Sequence, residues 1–452
     1  MEKFELLIRG GEVILPGCAN PERVNIAVSG GRVAALTAEE PSAASVIDAA
    51  GLCVSPGFID THMHDEEAED GDTVEQALLR QGVTTAIAGN CGSGPLAADI
   101  RPYRKNPWLN LGYLTGHTKL RENSGVTDIY AASPPQAIEK MRVLLLHELE
   151  AEGSFGLSFG LEYMPNTSAE EIEALLKTAS GFKNIWIPVH IRADGPAAVE
   201  AVDEIIGYAH KYPLRFQISH TGSMCAFGHL AEVLDHISAA VANGCDITFD
   251  CYPYDAFCTN LGSAVFDEGF EERWGRGCAY LEVGSGPYRG KFLSEDGLYA
   301  KLRKEAPETL IIAHVINGAE VEECLMHPRC AVASDSILLK GHGHPRAAGT
   351  FPRAINIMRK KGLSLVEAVR KCTSLPAAMA FLDKGEIKPG ADADFVLFDP
   401  QRLVDRATFA EELLPPEGIE WVIIGGEPAV HKNEIIGGPK GRLITRQTFA
   451  AV

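Results

Sequence analysis

Long apolar runs are missing from this sequence. Nowhere do about 18 or more apolar residues follow one another, so no membrane-crossing helix is expected. A basic excess is missing too. The formal net charge is −20, and such a surface repels phosphate backbones, which argues against nucleic acid as a partner; without a span, no membrane partner is expected either. The N-terminal residues show no basic start followed by an apolar stretch, so no signal peptide is read and the cytoplasm is the expected compartment. The eleven cysteines include no CxxC pair; in a chain of 452 residues without an export signal they read as reduced thiols, mostly core. No internal repeat or low-complexity segment stands out. What is present is ordinary globular composition, 46% hydrophobic and 23% charged, enough for one large core and a smaller domain.

The two ends of the chain share a style. Residues 1–54 read as short strands at 5–9, 12–15, 24–28 and 32–36, separated by turn signals such as Gly10-Gly11 and Gly30-Gly31. Residues 385–452 repeat it, with apolar runs at 395–398 and 419–424 and a Gly425-Gly426 turn. Two β-rich ends around a long middle predict one small β domain built from both termini.

The middle, 55–384, alternates strands and helices. Strand-like segments fall at 58–62, 84–88, 109–114, 154–158, 185–190, 215–219, 246–251, 309–314 and 330–334, with amphipathic helices expected at 168–180, 196–212 and 230–243. Repeated βα units imply a parallel sheet, and over about 330 residues they imply a closed (β/α)8 barrel. Nine candidates compete for eight places; either 246–251 or 309–314 must fall outside, and 309–314 is the one favoured. The stretch from 255 to about 302 is rich in Gly and aromatics and poorly periodic. It reads as an insertion over the barrel mouth, either a lid or a decorative loop.

The polar residues at the strand ends carry the chemistry. An apolar run, 52–59, feeds straight into His62-Met63-His64, and residues two apart on a strand present their side chains to one face. The next strand leads to Cys91, others to His190 and His220, and the last to Asp335. Taken singly, a Cys after a buried strand is core packing and an Asp there caps the next helix. Five strand ends of one barrel carrying potential ligands together point to a metal instead. Four His, one Cys and one Asp form a borderline-soft set that suits zinc better than magnesium or calcium. His117 and His314 also end strand-like runs and are further candidates for the pocket.

The ordered stretches GFIDTHMHDE from Gly57, GVTTAIAGNCG from Gly82, GSFGLSFGLEY from Gly153, HIR from His190, ISH from Ile218, FDCYPY from Phe249, SD from Ser334, HPRAAGTFPR from His344 and KPGADADFVLFDP from Lys388 run through nearly the whole chain. Together they resemble the amidohydrolase superfamily, and within it the D-aminoacylase (N-acyl-D-amino-acid deacylase) branch. The resemblance implies a metal-dependent (β/α)8 hydrolase barrel beside a composite β-sandwich. It implies that Cys91 stands where many superfamily members carry a metal-bridging carbamylated lysine. It implies a tight zinc on Cys91, His190 and His220, a second, weaker position on His62, His64 and Asp335, Asp335 as the catalytic acid/base, and Arg346 and Tyr252 on the substrate carboxylate. One position departs: the branch has a Lys two residues after the strand-6 His, where this chain has Gly222.

The expected reaction is hydrolysis of a linear amide, deacylating an N-acyl-D-amino acid to a carboxylate and a free D-amino acid. Zinc lowers the pKa of bound water to about 7 and polarises a carbonyl, and Arg offers a planar fork to a carboxylate. Two other readings stay open: a cyclic amide hydrolase of the hydantoinase or dihydroorotase type, and a non-catalytic barrel that binds a small ligand. The partner is a small-molecule substrate in the enzymatic readings. The oligomeric state, a homo-oligomer included, stays open.

Overall fold

The apolar runs in the middle of the chain become strands buried on both faces, the environment a parallel sheet between helices provides. The computed structural model describes residues 4–65, 71–100, 106–295 and 297–449. Residues 1–3, read for an export signal, and Glu66, which closes the His-x-His stretch, lie outside them. The strands are β1 (Phe58–Met63), β2 (Val83–Ala88), β3 (Asn110–Tyr113), β4 (Leu157–Gly160), β5 (Trp186–His190), β6 (Arg215–Ile218), β7 (Ile247–Cys251) and β8 (Cys330–Val332). All pair in parallel, β1 to β3 in one segment and β4 to β8 in a second that a short strand, Thr115–Gly116, precedes. The segments meet at both edges: Phe155 N donates to Tyr113 O at 3.1 Å, and Asp335 N donates to His62 O at 2.7 Å.

The helices between strands follow from their apolar stripes and caps. Ala169–Ala179 starts where the Ser168 side chain accepts a hydrogen bond from Glu171 N, and its buried face is Ile172, Leu175, Leu176 and Ala179. Ala198–Lys211 and Leu230–Ala242 likewise fall within a residue or two of expectation. The fourth strand does not. Residues 154–156 are irregular, and regular pairing begins at Leu157. The bend suits Gly156, whose absent Cβ leaves room for Trp186 O.

Residues 309–314 do fall outside the parallel set. Leu310–Ala313 pairs antiparallel with Phe257–Asn260 on one side and Leu281–Val283 on the other. β7 pairs directly with β8, so no place between them is left. The insertion is therefore a three-stranded antiparallel unit, and its pairing runs on to Ala313, past the expected boundary near 302.

The ends of the chain build two further sheets. One holds Phe4–Arg9, Asn25–Ser29, Arg32–Thr37 and Ala43–Asp48. The other joins Cys53–Pro56 from the first part of the chain to Phe395–Phe398 from the last, antiparallel. Leu6, Ile8, Ile26 and Val28 of the first sheet share an apolar core with Val54, Phe395, Leu397 and Ile423 of the second. No helix among the described residues is long and apolar enough to cross a membrane.

Candidate metal centre

All the potential ligands meet at the C-terminal ends of the strands, the face where parallel barrels carry their chemistry. His62 belongs to β1, His190 ends β5, and Cys91, His220 and Asp335 lie two or three residues past β2, β6 and β8. One donor atom each of His62, His64, Cys91 and Asp335 lies within 4.8 Å of the others; the same holds for Cys91, His190 and His220. Cys91 belongs to both groups, so two donor sets share one thiol.

Local structure holds that thiol in place. Asn90 Nδ2 donates to Thr61 O at 3.1 Å, and Gly92 N donates to Ser158 Oγ at 3.1 Å, which fastens the loop after β2 to its neighbours. A Cβ at Gly160 would stand 2.1 Å from Cys91 O, so only glycine permits this approach. Cys91, His220 and Asp335 all adopt left-handed backbone, with φ of 53°, 34° and 51°. Such conformations cost about 1–3 kcal/mol each and persist where the surroundings impose them, commonly at functional sites.

Each histidine spends one ring nitrogen on the protein and turns the other inward. His62 Nδ1 is 3.0 Å from Asp250 Oδ2, while its Nε2 is 3.3 Å from Cys91 Sγ and from Asp335 Oδ1. His64 Nδ1 is 3.2 Å from Ser93 Oγ, and its Nε2 is 3.1 Å from Asp335 Oδ1. His220 Nδ1 pairs with Ser223 Oγ at 3.0 Å, and its Nε2 is 3.4 Å from Cys91 Sγ. His190 Nε2 pairs with Glu162 Oε2 at 2.9 Å, and its buried Nδ1 has no hydrogen-bond partner. Partners of this kind set the tautomer and leave a lone pair for a metal. Burial alone would push the Cys91 thiol up; the charges of His62 and His220 outweigh it and hold the thiol well below its usual range, in the thiolate form that metals take.

Asp335 is buried, which would raise its pKa. Arg346 and His62 outweigh burial and hold it well below the usual carboxylate range. Arg346 Nη1 lies 2.9 Å from Asp335 Oδ2 in an ion pair, its guanidinium stacks 4.8 Å from the Tyr252 ring centre, and its Nε has no hydrogen-bond partner. The Tyr252 hydroxyl is buried and also lacks a partner. A cavity of about 940 Å³ opens beside the cluster, lined by His64, Cys91, Asp335 and Arg346 and by Cys258, Thr259 and Asn260 of the insertion.

His117 and His314 do not join the cluster. His117 Nε2 pairs with Glu171 Oε1 at 2.8 Å, and His314 Nε2 pairs with Glu282 Oε2 at 2.9 Å. Three residues went unread in the sequence. Asp250 holds His62, the His220 backbone N–H and, at 2.8 Å, Gln217 Nε2. Glu162 holds His190. Tyr163 packs on His190 with ring centres 4.5 Å apart and tilted by 47°, and lines the cavity; burial and the nearby Cys91 charge push its pKa well above the usual phenol value, so it remains a donor. A charged Asp inside the buried strand 246–251 was the available signal for Asp250, since a buried carboxylate needs partners.

Gly222 follows from packing. A Cβ there would stand 2.7 Å from Cys251 Sγ and 3.4 Å from Val321 Cγ2. Gly222→Lys is therefore expected to destabilise the fold by about 1–3 kcal/mol, read as a lower denaturant midpoint at unchanged slope. An unchanged midpoint would show that Cys251 gives way.

The chain has well-matched counterparts among known proteins. A family model described as "Amidohydrolase family" matches residues 227–430. An N-acyl-D-glutamate deacylase of Alcaligenes xylosoxydans xylosoxydans is 32% identical over 100% of this chain and 98% of its own length. A D-aminoacylase of the same organism is 30% identical, covering 98% of each chain. The crystal structure of an N-acyl-D-glutamate deacylase from Bordetella bronchiseptica, complexed with zinc and a phosphonate mimic of the tetrahedral intermediate, superposes with a TM-score of 0.87. It is 28% identical and covers 98% of this chain and 100% of that one.

Proposed function

The chain belongs to the D-aminoacylase branch of the amidohydrolase superfamily, and from that premise we propose that it is a zinc-dependent deacylase of N-acyl-D-amino acids. The reading rests above all on one observation: two donor sets share the Cys91 thiol at the foot of one large cavity. Cys91, His190 and His220 are the tight zinc site, and His62, His64 and Asp335 the second, weaker position. The donor chemistry supports this, as does the unpartnered Nδ1 of His190. When bound, zinc supplies Lewis acidity that activates water and polarises the amide carbonyl.

The chain's own residues do the rest. Asp335, ionised, takes a proton from the attacking water and passes it to the leaving nitrogen. The Tyr163 hydroxyl donates to the carbonyl oxygen as charge gathers there. Arg346 and the Tyr252 hydroxyl hold the substrate carboxylate, which gives their unpartnered buried atoms a partner. The products are a carboxylate and a D-amino acid.

The same reading covers the scaffold. The two parallel segments are arcs of one (β/α)8 barrel over 55–384, and the two terminal sheets, from 1–54 and 385–452, are the faces of one β-sandwich. The eleven cysteines are all unpaired, which supports a reducing compartment, the cytoplasm.

The test is hydrolysis of matched N-acetyl-D- and N-acetyl-L-amino acids by the zinc-loaded protein. Only the D series should turn over. In the same assay Arg346→Met should lower kcat/KM by about 10- to 150-fold, the loss of a charge-assisted hydrogen bond worth about 1.5–3 kcal/mol. Turnover of hydantoins with none of N-acetyl-D-amino acids would favour a cyclic amide hydrolase instead.

A further inference from the structure

One side chain of the insertion, Arg273, touches the carboxylate that stands behind His190. Arg273 lies in Phe270–Trp274, a short helix of the insertion. Its Nη1 is 3.2 Å from Glu162 Oε1, and its Nε is 2.8 Å from Asp194 Oδ1. Its Nη2 donates at 2.5 Å to Val265 O, so the guanidinium is also tied to the insertion itself. Both carboxylates are buried, Glu162 just past β4 and Asp194 just past β5. Glu162 turns its other oxygen to His190 Nε2 at 2.9 Å. The contacts thus run from the insertion through Arg273 and Glu162 to His190.

This chain of contacts fixes a geometry. The contact with Glu162 is an ion pair without a hydrogen bond: positive charge beside Oε1 favours the carboxylate position that keeps Oε2 on His190 Nε2, which leaves Nδ1 of that ring for the cluster. Trp274, the next residue, donates to Asp194 Oδ2 at 2.7 Å and packs on Phe257, Phe266 and Phe270. It anchors the insertion without touching Glu162. Its ring also carries the Arg273 guanidinium, 5.0 Å from the ring centre, so a control at this position has to keep an aromatic face.

We propose that Arg273 is a positioning residue for the metal centre: through its ion pair with Glu162 it holds the carboxylate that orients His190, and so sets how tightly zinc is held. The inference rests on the reading that His190 binds zinc. It is tested on the full chain by competing zinc against a chromophoric chelator. Arg273→Ala should weaken zinc binding by about 10- to 100-fold, the range for partners behind a metal ligand. Arg273→Lys, which keeps the charge but not the fork, should recover part of that loss, and it carries the test if the alanine variant does not fold. Glu162→Gln combined with Arg273→Ala should bind zinc no more weakly than Glu162→Gln alone, because Arg273 acts through Glu162. Trp274→Phe, which removes the indole donor to Asp194 and keeps an aromatic face for Arg273, should leave zinc affinity unchanged. Wild-type affinity in both Arg273 variants, additive losses in the double variant, or an equal loss in Trp274→Phe overturns the proposal. A wild-type chain that binds no zinc sinks the metal-site reading itself, and this inference with it.

Discussion

Asp335→Asn is expected to lower kcat by about 10²- to 10⁴-fold, the usual contribution of a positioned general acid–base group. The substitution keeps the shape of the side chain and removes its charge and its capacity to take a proton. Asp335 sits where both are needed, with Oδ1 near the inward nitrogens of His62 and His64 and Oδ2 on Arg346. Tight zinc binding should survive, because Cys91, His190 and His220 do not depend on this carboxylate for their own partners. KM should shift less than kcat, since Arg346 stays in the cavity. The outcome that removes Asp335 from the mechanism is near wild-type turnover by a variant of unchanged zinc content. A variant that loses its tight zinc as well would make Asp335 a ligand of that site.

Cys91→Ala combined with His220→Ala should reduce the zinc content after dialysis to background and abolish turnover. The pair leaves one imidazole, His190, of the three donors that share that pocket. Stability separates this from simple unfolding. A metal that binds only the folded chain stabilises it by about 4.1 kcal/mol when present at a thousandfold its Kd. The wild-type chain should show that rise in unfolding free energy on zinc addition, and the double variant should show none. Without zinc the variant should still unfold in one cooperative transition, at a lower free energy because two buried side chains are truncated. A variant that keeps stoichiometric zinc, or whose stability still responds to it, would show that the cage lies elsewhere.

Much of this was legible in the residues because the relevant patterns are short-range. On a strand, side chains two apart share a face, so His62 and His64 could be paired from sequence alone, and runs buried on both faces could be told from alternating ones. The donor residues themselves name the metal class. The helix ends followed from caps such as Ser168. Reading the fourth strand three residues early had a local cause: Gly156 makes only an isolated bridge to Trp186, and its close approach to Trp186 O delays the regular ladder to Leu157.

The sequence by itself determined which side chains could do chemistry and at which strand ends they stand, because periodicity and residue type are properties of neighbouring positions. Only the tertiary structure decided which nitrogen of each histidine faces inward, that Asp250 and Glu162 hold those rings, that residues 309–314 pair with the insertion, and why position 222 takes a glycine. Each of these depends on a partner far away in the chain: Asp250 on His62, Arg273 on Glu162, Cys251 on Gly222. A hydrogen bond or a close contact is made between atoms in space, and the spacing of letters along a chain does not say which atoms those will be.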